Sequence, residues 1–86
     1  MQKIKAEIIN ILYRNKNIKL SAKNIREKSE FLKDIHKKEL EYAKKRFYDS
    51  AYYSKIQFAF YQLRNEKEIS YILNQKDKRE YLYSLY

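Results

Sequence analysis

Apolar residues recur at helical spacing in the first part of the chain. Positions i, i+4, i+7 and i+8 carry branched side chains while lysines fill the other faces, which predicts a helix from Gln2 to about Arg14. The apolar stripe of this helix is Ile4, Ile8, Ile11 and Leu12. Polar residues 15–17 end the pattern, and Ile18 and Leu20 are expected to resume an apolar contact.

Two further helices are predicted in the middle of the chain. Ser21 is a good N-cap, so a short helix should run from Ala22 to about Lys28 and bury Ala22 and Ile25. Helical spacing returns at Glu30, where the apolar side chains fall within an arc of roughly 140°. The members of that arc are Leu32, Ile35, Leu40, Ala43 and Phe47.

A fourth helix is expected after Asp49-Ser50, because both residue types favour helix caps over helix interiors. It should start at Ala51 or Tyr52 and turn one stripe inward. That stripe is Tyr52, Ile56, Ala59, Phe60 and Leu63. Since no glycine or proline interrupts the segment, residues 30–66 are alternatively one long helix.

The last third has a different period. Branched and aromatic residues recur at every second position over 69–73 and again over 80–86, and the polar run 74–79 between them is typical of a hairpin turn. The sequence therefore predicts a mostly α domain of residues 1–86 with a small C-terminal β-hairpin. An all-α helical bundle is the alternative, because the same apolar residues would also serve helices.

The charge of the chain suggests a class of partner. Twenty Lys and Arg against eleven Asp and Glu give a formal net charge of +9, which attracts phosphate and favours nucleic acid. Eight basic and two acidic residues lie in 1–28, so the excess is concentrated there. A/T-rich coding also raises the lysine content, and it is the competing explanation of the positive charge.

Few residues could carry out catalysis. Cysteine and glycine are both missing, so a thiolate nucleophile, a cysteine zinc site and a glycine-rich phosphate loop are excluded. The single histidine, His36, is expected at the core edge beside Glu39, which would raise its pKa. Carboxylates alternate with lysines, as on a solvated helix face. We therefore expect a chain that is not an enzyme, with no catalytic residue, no metal and no cofactor.

Aromatic residues on the fourth helix are a further signal. Phe58 and Tyr61 lie opposite the inner stripe, which predicts a contact surface for bases, a protein or a second copy of the chain. The alternative is that another helix covers them. No apolar run approaches the ~18 residues that span a bilayer, so we expect a cytoplasmic protein without membrane contact.

In order and spacing the chain resembles a winged helix-turn-helix domain. The segments that carry the resemblance are Ile8–Asn15, Ile18–Arg26, Ser54–Ile69 and the hairpin. In that family a short capped helix precedes a recognition helix and a two-stranded wing. This chain departs from the family pattern in two places: residues 29–48 form an added helical segment, and residues 65–68 replace the usual glycine before the wing.

The resemblance implies a transcriptional regulator that binds double-stranded DNA as a homodimer, and a mobile element such as a phage is its expected carrier. Residues implied to face the major groove are Tyr53, Ser54, Gln57 and Tyr61, with Gln57 able to pair with adenine. Those implied to contact phosphate are Lys19, Lys23, Arg26, Lys55 and Arg64, and on the wing Lys76, Lys78 and Arg79.

Two other functions stay open. A non-enzymatic protein-interaction module, such as a phage-type inhibitor of a host nuclease or an anti-CRISPR protein, would use Phe58 and Tyr61 on a host protein or nucleoprotein complex. A binder of RNA or single strands would stack bases on tyrosines, although the aromatic residues are mostly placed on helices and not on an open sheet.

Overall fold

Four helices and three short strands make up the described chain. The computed structural model describes residues 2–45 and 54–85, with the backbone alone at 43–45. The elements are α1 (Gln2–Arg14), β1 (Leu20–Ser21), α2 (Ala22–Glu27), α3 (Glu30–Lys45), α4 (Lys55–Asn65), β2 (Ile69–Leu73) and β3 (Tyr81–Leu85). The protein is mostly helical with a small antiparallel sheet, so the all-α alternative is wrong.

The sheet has the strand order β1-β3-β2. The predicted hairpin is confirmed: β2 pairs with β3 residue by residue, from Ile69 opposite Leu85 to Leu73 opposite Tyr81. Strand β1 was not predicted. It covers only Leu20 and Ser21, which pair with β3 on the side opposite β2. Two residues are too few to show an alternating pattern in the sequence.

The core lies between α1, α4 and the inner face of the sheet. The predicted stripe of α1 is buried, and the inner residues of α4 from Ile56 to Leu63 are buried against it. From α2 and α3 come Ile25 and Leu32, both fully buried, and the sheet adds Leu20, Ile69 and Tyr83. One contiguous apolar cluster therefore joins all the elements.

Serine hydroxyls begin three of the helices. Ser21 accepts a hydrogen bond from the Asn24 backbone N–H, and Ser29 accepts one from Leu32. Ser54 does the same for α4, accepting from the Gln57 backbone N–H at 3.2 Å. Each hydroxyl satisfies a donor that the first turn leaves unpaired. The capping prediction for Ser21 is confirmed.

Helix α4 begins later than predicted. Ser54 has extended backbone angles, φ −98° and ψ 116°, so the helix starts at Lys55 and not at Ala51 or Tyr52. Those same angles separate α3 from α4, and a single helix over 30–66 is wrong. The predicted break at 49–50, with Phe47 and Tyr52, lies outside the described residues.

Two apolar expectations are wrong in detail. Ile18 is exposed on the turn after α1, because β1 begins only at Leu20 and draws that residue inward instead. Leu40 is also exposed, whereas Leu32 near the start of α3 is fully buried. Ile35 packs on the edge of the core. The apolar arc of α3 is therefore buried at its start and loses cover toward its C-terminal half.

The turn from α4 to β2 is made without glycine. Lys67 has a φ of 58°, in the left-handed region that favours glycine. Its N–H donates to the Arg64 carbonyl, and the Glu68 N–H donates to the Leu63 carbonyl. This pair of bonds is the Schellman arrangement that ends many helices, and it performs the turn expected of the missing glycine.

Candidate functional site

The outward face of α4 presents a polar and aromatic row. Since Ile56, Ala59 and Phe60 point to the core, the opposite side of the helix carries Gln57 and Tyr61, which are exposed. Arg64 lies one turn further on and is half-buried. These three positions are spaced i, i+4 and i+7, so their side chains form one line along the helix.

Three tyrosines of the hairpin face that end of α4. Tyr71 on β2 is paired with Tyr83 on β3, and Tyr81 lies two residues from Tyr83 on the same face of the pleat. The rings of Tyr71 and Tyr81 meet edge to face with centroids 5.5 Å apart. Tyr83 packs against Phe60 of α4 at 4.6 Å. The hairpin is thereby fixed to α4 by aromatic contacts.

Arg64 lies over two of these rings. Its guanidinium carbon is 3.8 Å from the centroid of Tyr71 and 5.2 Å from that of Tyr81. A hydrogen bond with the Tyr71 side chain is the main cause that raises the pKa of Arg64. Burial raises the pKa of Tyr83, and the nearby Arg64 charge opposes that shift. Arg64 is therefore a fixed cation at the junction of helix and hairpin.

An open cleft of about 430 Å³ lies between α2, α4 and the hairpin loop. It gathers five side chains from the set predicted to contact nucleic acid, although they come from three separate parts of the sequence. These are Lys23, Gln57, Tyr61, Arg64 and Arg79. Asp77, Glu80, Tyr81 and Tyr83 complete its polar and aromatic lining.

The cleft carries charges of both signs. Asp77 Oδ1 accepts a hydrogen bond from the Arg79 backbone N–H at 3.0 Å and lies 3.5 Å from its guanidinium. Glu80 accepts a hydrogen bond from the Asn74 side chain at 2.9 Å. Both carboxylates thus hold the hairpin loop in shape, while Lys23 has no ion-pair partner among the described residues.

Several predicted site residues lie elsewhere. Lys55, Lys76 and Lys78 are exposed but do not line the cleft, and Lys19 is exposed on the turn before β1. Arg26 points to a second groove, between α2 and α3. Tyr53 lies outside the described residues. The structure therefore brings together part of the predicted set and leaves the other lysines around it.

The prediction that Ser54 contacts DNA is wrong. Ser54 was expected to face the DNA groove, but its side chain is buried and its hydroxyl caps α4. A serine can either cap a helix or contact DNA. Because α4 starts at Lys55, Ser54 is its N-cap. Ser54 therefore stabilises the start of α4 and is not part of the predicted contact surface.

The aromatic surface prediction can be compared with exposure. Tyr61 retains 57% of its accessible surface and Phe58 retains 39%, so another helix covering both is wrong. Both lie on the side of α4 that faces away from the core, and Tyr61 lines the cleft whereas Phe58 does not. Side chains three positions apart on a helix are neighbours, so the exposed aromatic surface of α4 reaches the edge of the cleft at Tyr61.

His36 lies in the second groove, which Arg26, Glu27, Lys33, Lys37, Leu40 and Glu41 also line. Burial is the main cause that lowers the pKa of His36, and the Arg26 charge lowers it further. Glu39 acts in the opposite direction but does not prevail, so the expected rise is wrong. The Glu39 carboxylate instead accepts a hydrogen bond from the Lys55 backbone N–H at 2.8 Å, at the start of α4.

The prediction missed the tyrosines that hold Arg64. Their signal was present, because alternation along the two predicted strands places Tyr71, Tyr81 and Tyr83 on one face. The sequence pattern does not show that α4 packs against that face of the hairpin.

Within the described residues, no group of three histidine, cysteine or acidic side chains could hold a metal ion. Nor is any described helix both long and apolar enough to cross a membrane.

Known proteins give no further guide to this cleft. No family model matches the chain, and no curated protein or solved structure matches it either. The function must therefore be inferred from the geometry and charge of the site.

Proposed function

We propose that this chain is a small winged-helix protein that binds duplex DNA, with α4 as its recognition helix and the β2–β3 hairpin as its wing. The observation that carries this proposal is the cleft in which side chains from α2, α4 and the hairpin loop converge. Residues chosen from sequence as base or phosphate contacts meet there, although they are far apart along the chain.

The chemistry of the row on α4 suits a DNA groove. Gln57 carries an amide that can donate to and accept from adenine, and Tyr61 can stack or pack beside a base. Both are exposed on a helix whose opposite face is fixed in the core. An α-helix fits the major groove of B-form DNA, so such a row could reach base edges.

Basic side chains surround the row and would set its register. Lys23 of α2 and Arg79 of the hairpin loop both line the cleft, and exposed Lys76 and Lys78 lie at the tip of the hairpin. Lysine and arginine contacts to phosphate position a protein on the duplex without reading sequence. The overall charge of +9 supports the same partner.

The test is a titration of a labelled random-sequence duplex with the purified chain, followed by fluorescence anisotropy at low salt. Binding in the micromolar range that weakens as salt is raised is expected for phosphate contacts. Gln57→Ala should leave that binding to random duplex almost unchanged and reduce the preference among sequences recovered by selection. A flat titration at low salt would rule out the proposal.

A protein-interaction module is the second candidate, and one observation favours it. Asp77 and Glu80 line the cleft with the basic side chains, and two carboxylates in a groove repel a polyphosphate. A protein surface of mixed charge would tolerate them. Retention of one stoichiometric protein from nuclease-treated host lysate, lost in Tyr61→Ala, would support this candidate over DNA.

A further inference from the structure

Strand β2 lies at the edge of the sheet, since the strand order is β1-β3-β2. Its five residues, Ile-Ser-Tyr-Ile-Leu, contain no charge and no proline, and they pair with β3 without a bulge. Proteins usually protect an edge strand with charged residues, proline, bulges or a covering element. None of the first three devices is present in β2.

Part of the backbone on this edge has no partner among the described residues. The Asn74 N–H donates to the Glu80 carbonyl at 2.8 Å, which makes these residues a hydrogen-bonded pair at the end of the ladder. Hydrogen-bonded pairs alternate in an antiparallel ladder, so Ser70 and Ile72 bond to β3 while Tyr71 and Leu73 direct their backbone groups outward. Ile69 has the same orientation, but it is only 1% exposed and its backbone groups are not accessible. Among the described residues, no other backbone group accepts from or donates to Tyr71 or Leu73.

The side chains leave the same edge accessible. Tyr71, Ile72 and Leu73 are all exposed, with Ile72 retaining 46% of its surface. Three neighbouring exposed apolar residues on an uncharged strand are a surface that pairs readily with another strand.

We propose that β2 pairs antiparallel with β2 of a second copy of this chain, and so joins two three-stranded sheets into one across a two-fold axis at Ile72. This inference does not depend on DNA binding. An antiparallel pair of identical strands is self-complementary, which a two-fold interface requires. With Ile72 opposite Ile72, Tyr71 faces Leu73 of the other copy, and the outward N–H and C=O groups of these two exposed residues find partners.

Charge next to the strand favours a second copy as the partner. Residues 66–68 before β2 carry a net charge of −1, and residues 74–79 after it carry +2. Antiparallel pairing places the acidic end of one strand beside the basic end of the other. Glu68 and Lys76 are both exposed and form no ion pair within the described structure, so they can meet across the interface, where the two positions lie opposite each other.

The size of the contact sets its expected strength. Pairing of two five-residue strands buries less than the roughly 1,200 Å² typical of stable complexes, so we expect a dimer that forms at micromolar or higher concentration. The chain should therefore change from monomer to dimer within the range of a sedimentation experiment.

Two variants of one residue test the interface. Leu73→Pro removes an outward N–H while keeping the bonds to β3, and Leu73→Ala removes the same side chain but retains that N–H. In sedimentation equilibrium without DNA, Leu73→Pro should weaken dimerisation at least tenfold more than Leu73→Ala. Glu68→Lys or Lys76→Glu alone should weaken the dimer, and the double variant should restore it. A dimer unaffected by Leu73→Pro uses another surface and overturns the proposal.

Hydrogen exchange of the unmodified chain gives a test that needs no variant. The amides of Tyr71 and Leu73 should become protected as protein concentration rises, whereas those of Ser70 and Ile72 should be protected at every concentration. A chain that stays monomeric at millimolar concentration, with fast exchange at Tyr71 and Leu73, would contradict the paired edge. Both results are independent of whether the cleft binds DNA.

Discussion

The guanidinium of Arg64 lies over the ring of Tyr71, with 3.8 Å between the guanidinium carbon and the ring centroid. Arg64 is on the last turn of α4 and Tyr71 is on the first strand of the hairpin, so this contact joins the two elements that border the cleft. It also orients a cation at the position where the proposed duplex would lie.

Removing this stacking should weaken the junction of helix and hairpin. Arg64→Ala is expected to lower the free energy of unfolding by about 1 kcal/mol, as for a partly exposed cation over an aromatic ring. Arg64→Lys should recover only part of that loss, because an ammonium lacks the planar face that stacks on tyrosine. Urea unfolding followed by circular dichroism measures both, and equal stability of all three chains would show that the stacking contributes nothing.

The turn after α4 offers a stabilising substitution. Lys67 adopts a left-handed backbone, which costs a side-chain-bearing residue roughly 1 kcal/mol relative to glycine. Lys67→Gly should therefore raise the free energy of unfolding by about that amount. Lys67→Ala removes the same charge but keeps the Cβ, so it should give no such gain. If thermal unfolding showed alanine and glycine to be equivalent, backbone strain at this turn would be excluded.

The start of α4 depends on two groups that are remote in sequence. Ser54 accepts from the Gln57 N–H, and Glu39 of α3 accepts from the Lys55 N–H while placing a negative charge at the helix N-terminus. Ser54→Ala should cost about 1 kcal/mol of unfolding free energy. Glu39→Gln, which keeps a hydrogen-bond acceptor, should cost less than Glu39→Ala. A Glu39→Ala chain as stable as the parent would mean that α3 does not support α4.

His36 gives the fold a dependence on mildly acidic pH. Its pKa in the folded chain lies below the ordinary value of 6.5, mainly through burial and then through Arg26. The unfolded chain therefore binds the proton more readily, so stability should fall as pH is lowered through the ordinary pKa toward the lowered one. His36→Gln should flatten that part of the profile. Urea unfolding between pH 7 and pH 5 measures it, and a loss of stability that persists in His36→Gln would assign it to other groups.

Most of the fold could be predicted because its elements follow apolar periodicity. The bounds of α1 and the two arms of the hairpin were evident from spacing alone, as was the cap at Ser21. Strand β1 was not evident, because two residues are too few to show an alternating pattern. The start of α4 was misplaced because Asp49-Ser50 and Ser54 are equally good caps by residue type, and only tertiary contacts, including that from Glu39, distinguish them.

The residues of the candidate site could be predicted better than their arrangement in space. Exposed positions of α4 such as Gln57 and Tyr61 follow from the helical wheel. The division of α2, with Lys23 in the cleft and Arg26 in the second groove, depends on where α3 packs. The stacking of Arg64 needs the hairpin to fold back over α4, and local spacing does not encode that approach.

The salt dependence of duplex binding in a cleft variant tests the central claim most directly. Lys23→Ala/Arg79→Ala removes two cations that line the cleft, and Lys38→Ala, which removes one cation of α3 outside the cleft, is the control. If both cleft residues neutralise phosphates, the slope of log K against log salt should become shallower by about 1.8 in the double variant and stay unchanged in Lys38→Ala. A double variant that keeps the parent slope would show that DNA, if bound, does not lie in this cleft.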